Sequence, residues 1–569
     1  MNVLDFVKNT ITILDGGMGT LLQEKGLTAG TKPETWNMLH PDIIEDIHRA
    51  YFDAGSNIIN ANTCGANGLK FKDNELESVI KAAMENAKNA AVKSSSPEPK
   101  FVALDIGPTG KILAPLGPLE FEEAVEIFAK TVRIGAKYGA DLIMVETMTD
   151  IYETKAAILA AKENCDLPVF VSNAYSENGR LLTGAPPLAV ISMIEGMGAD
   201  AIGVNCSMGP EALLPVIKEY IEYASVPVFF KPNAGLPQVK EGKTYFSITA
   251  SDFAFQMQRA AELGVNILGG CCGTTPEHIT MLKKAIEGKP YTDLKKNNLT
   301  VVSSYSKTCI LGNSPVLIGE RINPTGKKRF KQALREHDID YILDEAINQE
   351  EKGVHILDVN VGTPEIDEAE LLPEAVSEIQ VVTNTPLQID TSDTSALEKA
   401  LRIYNGKAMI NSVNGKKESM DAVFPLIKKY SGVVVALTLD ENGIPETASG
   451  RFKIAEKIFH EAAKYGIDKK DIVFDPLCMA VSAKNNAAKV TLDAMELIKE
   501  KLGCKTVLGV SNISFGLPNR DALNAAFFTL ACQKGLGAAI INPYSDDMMK
   551  AYYSYNALMG LDENFKDYI

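Results

Sequence analysis

Three cysteines carry the clearest chemistry in this sequence. Cys206 lies in GVNCSMG, and Cys271 and Cys272 lie in GGCCG, each at the end of an apolar run of strand length. Thiolates are soft ligands that sit about 2.3 Å from zinc, and three of them leave the fourth tetrahedral position open, as in a catalytic site. Gly269, Gly270 and Gly273 flank the pair and let the backbone turn tightly beside a ligand. A vicinal Cys-Cys pair can also be a strained disulfide or two packed thiols. The third cysteine and the glycine collar favour the metal. The other six cysteines (Cys64, Cys165, Cys309, Cys478, Cys504 and Cys532) read as isolated core or loop thiols. His278, in TTPEHIT, reads as a polar residue at a helix start rather than a fourth ligand.

An open three-thiolate zinc can bind a substrate thiol and keep it ionised at neutral pH. A free thiol, with a pKa of about 8.5, is only a few per cent thiolate there. Such a site suits methyl transfer onto sulfur.

These groups need a scaffold that brings strand ends together. Apolar runs recur through the first half at 11–16, 57–63, 101–107, 141–147, 168–173, 201–206, 226–233 and 266–272. The second half repeats the count at 315–323, 355–362, 386–392, 408–414, 432–439, 471–478, 505–512 and 538–545. Segments with helical periodicity, such as 121–139, lie between them. This alternation predicts an α/β chain of two tandem (β/α)8 TIM barrels. The expected domains are residues 1–288 and 311–569, with a polar, Lys- and Ser-rich linker at 289–310. No sequence motif is shared between the halves.

The strand ends are polar in both halves: Asp15, Asn62, Asp105, Glu146, Asn173, Cys206, Asn233 and Cys271–Cys272, then Glu320, Asn323, Asp358, Asn360, Asp390, Asn411, Asp475, Asn512 and Asn542. The C-terminal ends of parallel strands form the active face of a barrel. Turn propensity accounts for some of the Asn and Asp. It accounts less well for a carboxylate inside an apolar run, such as Glu146 in IMVET.

Composition excludes several classes. The 569 residues carry 57 Lys and Arg against 73 Asp and Glu, a net charge of −16, which argues against a nucleic-acid partner. The N-terminus lacks a basic segment followed by a long apolar one, so no signal peptide is expected. No run of 18 or more apolar residues predicts a membrane span. Nine scattered cysteines suit a reducing cytoplasm better than a disulfide framework.

The motifs DGGMGT (15–20), DIGPTG (105–110), GVNCSMGP (203–210), KPNAG (231–235) and GGCCGTTPEHI (269–279) resemble the homocysteine S-methyltransferase family. The resemblance spans essentially all of 1–288. It implies that Cys206, Cys271 and Cys272 hold Zn2+ and that homocysteine enters as a thiolate. It also implies that Asp15 and Glu146 receive the amino-acid end of homocysteine; a carboxylate pair suits its ammonium group. No Arg or Lys is evident for the substrate carboxylate, so backbone N–H groups near Gly16 and Gly17 are the candidates. Asn233 is a candidate for the fourth zinc position without substrate.

GERINPTGKK (319–328), LDVNVG (357–362), QIDTS (388–392), INSVNG (410–415), FDP (474–476) and GVSNISFGLPNR (509–520) resemble a pterin-binding methyltransferase family related to dihydropteroate synthases. The resemblance implies that Asp390, Asn411 and Asp475 hold the pterin edge of 5-methyltetrahydrofolate, with Glu320 and Asn323 lining the same mouth. Asn512 then lies near N5, whose protonation or hydrogen bonding assists loss of the methyl group. Arg520 is either a contact to the folate tail or a surface cation. A pterin-synthesis enzyme would also need a pyrophosphate site, and no Gly-rich phosphate loop is evident.

The two barrels in this order resemble the N-terminal half of the cobalamin-dependent methionine synthase family. That implies a cobalamin carrier visiting both mouths. The Asp-x-His-x-x-Gly signature of a cobalamin domain is missing, so the carrier is expected on an absent C-terminal part or a separate corrinoid protein. A homocysteine methyltransferase using another methyl donor, with a pterin-binding second barrel, is the alternative.

Overall fold

The computed structural model describes residues 2–28, 30–240, 243–293, 295–312 and 314–569. It comprises two compact units, residues 1–297 and 298–569.

The first unit is built on β1 (Thr12–Ile13), β2 (Ile58–Asn60), β3 (Phe101–Ile106), β4 (Leu142–Met148), β5 (Val169–Asn173), β6 (Ala201–Cys206), β7 (Val228–Pro232) and β8 (Ile267–Leu268). They form one eight-stranded parallel sheet in the order β1–β8–β7–β6–β5–β4–β3–β2. A parallel bridge between Leu14 and Ile58 joins its two ends. Asn57 secures that seam: its N–H donates to Ile13 O (2.7 Å) and its Oδ1 accepts from the Ile13 N–H (3.0 Å).

The second unit is a closed barrel of β9 (Val316–Ile322), β10 (Ile356–Val359), β11 (Leu387–Asp390), β12 (Ala408–Asn414), β13 (Gly432–Leu437), β14 (Ile472–Asp475), β15 (Lys505–Gly509) and β16 (Ala538–Ile541), paired in sequence order. The fold is therefore the expected pair of α/β barrels. Strands covered by helices outside and packed side chains inside are apolar on both faces, which is why each appears in the sequence as an unbroken run.

Inside each barrel the period of two along a strand decides which polar residue faces inward. Phe101 and Ala103 belong to the first barrel's interior cluster, as do Leu142, Met144 and Phe229. The next residues on those faces are Asp105, Glu146 and Lys231. In the second barrel Ile318, Ile356, Met409 and Val473 fill the interior, which turns Glu320, Asp358, Asn411 and Asp475 inward above them.

Both floors are plugged by chain that precedes the first strand. In the first unit the helix Val3–Val7, capped by Asn2, inserts Val3, Phe6 and Val7 into the interior cluster. In the second, a hairpin of Thr300–Ser303 and Thr308–Leu311 brings Val302, Cys309 and Leu311 under the barrel. Ser303 locks it in place: its N–H donates to Lys407 O (2.9 Å) and its Oγ accepts from the Lys407 N–H (3.0 Å). Part of the segment read as a linker is thus built into the second unit. Its Ser and Lys content masks the buried strand Thr300–Ser303 and the buried Cys309 and Leu311. Leu294, within that segment, lies outside the described residues.

Candidate active sites at the two barrel mouths

In the first barrel Cys206 ends β6, and Cys271 and Cys272 follow β8. Their three sulfurs lie within 4.8 Å of one another. Tetrahedral zinc with sulfurs at about 2.3 Å needs pairs of sulfurs roughly 3.8 Å apart, so the donor set fits zinc in number, softness and spacing. The backbone is bent to present them. Cys206 and Ser207 both adopt left-handed φ, 58° and 56°. Gly273 has φ 80°, and a Cβ there would fall 2.2 Å from Phe246 Cγ. The Cys271 N–H donates to Pro232 O (2.9 Å), and the Cys272 N–H to Asn233 Oδ1 (3.0 Å). The thiols of Cys271 and Cys272 donate toward the Cys206 sulfur and hold its pKa down to about 3. In return Cys272 is pushed up to about 12 and Cys271 well above the ordinary thiol range.

His278 takes no part in this cluster. Its Nδ1 caps the helix start at Thr275, and its Nε2 lies 3.3 Å from Ile248 O.

Beneath the cysteines is a buried charge cluster. Asp15 Oδ2 accepts from the Asn60 N–H (2.7 Å), and Glu146 Oε2 from Asn60 Nδ2 (2.9 Å). Lys231 Nζ lies between the two carboxylates, 2.9 Å from Glu146 Oε2 and 3.2 Å from Asp15 Oδ1. Burial alone would push the lysine down, but Asp15 and Glu146 overrule it and hold the ammonium well above the usual range. Asp105 stands in the same cavity, and burial beside Glu146 raises its carboxyl strongly. The chain bends directly after Glu146: Thr147 has φ 62°, and its N–H donates to Asn205 Oδ1 (2.8 Å).

Lys231 and Asn60 were not among the residues singled out from the sequence. For Lys231 the signal was present: a lone charge ending the apolar run VPVFFK is as anomalous as Glu146 in IMVET. Gly17, a candidate for the substrate carboxylate, faces Thr274. Its N–H is engaged by Thr274, at 3.1 Å from Oγ1 and 3.3 Å from O. Gly16 is wedged between Thr274 and Tyr51, whose Oγ1 and hydroxyl would lie 2.6 and 2.8 Å from a Cβ.

In the second mouth Lys327 Nζ donates to Glu320 O (2.7 Å). Gln388 Nε2 donates to Asp358 Oδ1 (2.6 Å) and Asn360 Nδ2 to Asp390 Oδ2 (2.9 Å), forming an inward ring of acids and amides. Burial raises Asp390 to about 6 against the Asn360 hydrogen bond, and raises Asp475 to about 7 against the Leu477 N–H and Arg451. Glu320 accepts from Ser511 Oγ (3.2 Å). Asn323 Oδ1 accepts from the Thr325 N–H (2.9 Å) at the loop after β9. Asn411 ends the regular register of β12, which shifts before Val413.

Two arginines shape this mouth. Arg451, which sequence reading missed, is buried and donates to Pro445 O, Pro476 O, Leu477 O and Thr491 Oγ1 at 2.7–3.0 Å, fixing the turn behind Asp475. Arg520 donates to Ser514 Oγ and Ser511 O, both at 2.9 Å, and stacks on Phe515 at 4.7 Å. It clasps the turn Val510–Ser514 that carries Asn512. Asn512 itself is exposed, folded back over Gly509, where a Cβ would lie 2.9 Å from its Nδ2.

Comparison with known proteins divides the chain at the same place. The family model described as homocysteine S-methyltransferase matches residues 12–286, and that described as pterin binding enzyme matches 319–542. Methionine synthase of Mycobacterium tuberculosis is 31% identical over 573 residues, covering 95% of this chain and 48% of that protein. Methionine synthase of Mycobacterium leprae is 30% identical over 578 residues, with the same coverage. The chain spans about half the length of these curated relatives. Among solved structures, the metallated homocysteine methyltransferase MmuM of Escherichia coli is 22% identical, with a TM-score of 0.42 over 50% of this chain and 98% of that one. Dihydropteroate synthase of Xanthomonas albilineans is 17% identical, with a TM-score of 0.35 over 46% and 98%. Residues 12–286 are thus similar to the homocysteine S-methyltransferase family and residues 319–542 to pterin-binding enzymes, and the chain resembles part of the methionine synthases along nearly its whole length.

Proposed function

We propose that this chain is the substrate-binding half of a cobalamin-dependent methionine synthase. In this reading a methyl group moves from 5-methyltetrahydrofolate, by way of a cobalamin carrier outside the two modules, to homocysteine, giving methionine and tetrahydrofolate. Residues 1–288 form the homocysteine module, 311–569 the folate module, and 289–310 the connection. The observation that carries the reading is the convergence of three cysteine sulfurs at one barrel mouth, in a chain whose other barrel presents a ring of buried acids and amides.

Cys206, Cys271 and Cys272 would hold Zn2+, which when bound supplies a Lewis acid that keeps a thiol ionised at neutral pH. The chain's own residues place that thiol. Asp15 and Glu146, fixed by Asn60, bind and orient the amino-acid end, and the buried interior beneath them excludes water. In the second barrel Asp475, Asp390 and Asn411 accept from or donate to the flat pterin edge, with Glu320 and Asn323 along the wall. Asn512 is placed on an exposed turn to hydrogen-bond N5, where a proton must be held for the amine to leave. Arg520 supports that turn. No helix among the described residues is long and apolar enough to cross a membrane, and a reducing cytoplasm suits the free thiols.

Metal analysis and half-reactions test this. One zinc per chain, with sulfur coordination that rises when homocysteine is added, is expected, together with slow methionine formation from free methylcobalamin. Robust methionine formation from 5-methyltetrahydrofolate without any corrinoid would overturn the relay.

A further inference from the structure

Resting on that reading of the first barrel, we infer that Lys231 is the group that takes the α-carboxylate of the thiol substrate, with Asp15 as the residue that positions it. An amino acid presents an ammonium and a carboxylate on one carbon, so its site needs both charges close together. Sequence reading supplied acids for the ammonium and, for the carboxylate, backbone N–H groups near Gly16 and Gly17. The structure supplies the cation, 2.9 Å from Glu146 Oε2 and 3.2 Å from Asp15 Oδ1.

The distribution of donors assigns the roles. Asp15 Oδ2 holds the Asn60 N–H, while Oδ1 is buried 3.2 Å from Lys231 Nζ and accepts no hydrogen bond. Glu146 retains the most side-chain exposure of the three, 8% against 5% for Asp15 and 3% for Lys231, and both its donors converge on Oε2. That leaves Oε1 to face an incoming ammonium. An ammonium side chain has three N–H donors. Glu146 Oε2 takes one of those of Lys231 at 2.9 Å, Asp15 Oδ1 stands 3.2 Å away as an ion-pair partner, and a further N–H can meet a carboxylate. The backbone alternative is weakened by the engagement of the Gly17 N–H with Thr274.

The test compares three thiols by calorimetry on the zinc-loaded chain: homocysteine, 4-mercaptobutyrate, which lacks the ammonium, and 3-aminopropanethiol, which lacks the carboxylate. In Lys231→Gln, homocysteine and 4-mercaptobutyrate are expected to bind about 10- to 100-fold more weakly, while 3-aminopropanethiol is unchanged or tighter. Lys231→Arg should restore part of the loss. An equal loss for all three thiols in a folded, zinc-loaded variant would overturn the inference and leave Lys231 a structural counter-ion. Should the variants not fold, the wild-type chain still decides: binding 3-aminopropanethiol as tightly as homocysteine overturns it. A wild-type chain that holds zinc and binds none of the thiols overturns instead the homocysteine assignment on which it rests.

Discussion

Asp475 gives the sharpest quantitative expectation. It ends β14, faces inward and is buried, and its pKa is raised from 3.8 to about 7 mainly by desolvation. A pterin edge donates hydrogen bonds to the ionised carboxylate, so binding selects that form and releases a proton from the other. With a pKa of about 7, the ionised fraction at pH 6 is about one tenth of that at pH 8, and affinity for 5-methyltetrahydrofolate should rise about 10-fold between them. Asp390, at about 6, adds only about a further twofold. Asp475→Asn removes the larger effect and should leave a dependence of about twofold. The assay is titration calorimetry at pH 6 and pH 8 in two buffers of different ionisation enthalpy, which counts the released protons directly. Stability provides an independent check. A raised carboxylate pKa stabilises the fold fully below pH 3.8, and this contribution is lost as pH climbs through about 7, at a cost of about 4 kcal/mol. The free Asp475→Asn chain should therefore be more stable than the parent above pH 7 and show less change across that window. Affinity that is flat from pH 6 to 8, or that keeps its full slope in Asp475→Asn, would refute the reasoning.

Other expectations concern the cluster and its supports. Cys272→Ser should cut zinc affinity by at least about 100-fold, as read by competition with a chelator, because a ligand matters more than the groups that orient it. Gly273→Ala places a methyl 2.2 Å from the Phe246 ring at φ 80°, so a loss of about 1–3 kcal/mol in unfolding free energy is expected, with weaker zinc retention. Arg520→Met removes the clasp on the Asn512 turn and should weaken methyltetrahydrofolate binding about 3- to 30-fold, with homocysteine binding unchanged.

The architecture was legible because parallel barrel strands are buried on both faces and therefore stand out as unbroken apolar runs. The floor plugs were not. The hairpin at 300–311 is too short and too rich in Ser and Lys to be told from a linker until Val302 and Leu311 are seen beneath the second barrel. Cys64, read as a core or loop thiol, is a thiol of the turn after β2, close to Gly107, where a Cβ would lie 2.4 Å from its sulfur.

Sequence alone determined which residues could do chemistry: three thiols at strand ends, and acids and amides at the ends of thirteen of the sixteen apolar runs. Residue type and strand period are local properties, and they carry that far. Only the tertiary structure decided how charges pair across the barrel. Lys231 pairs with Asp15 and Glu146 from strands 85 and more residues away, and Arg451 reaches from a helix to hold the turn behind Asp475. Partners of this kind meet because the barrel closes, and their energies depend on burial that no segment possesses before closure.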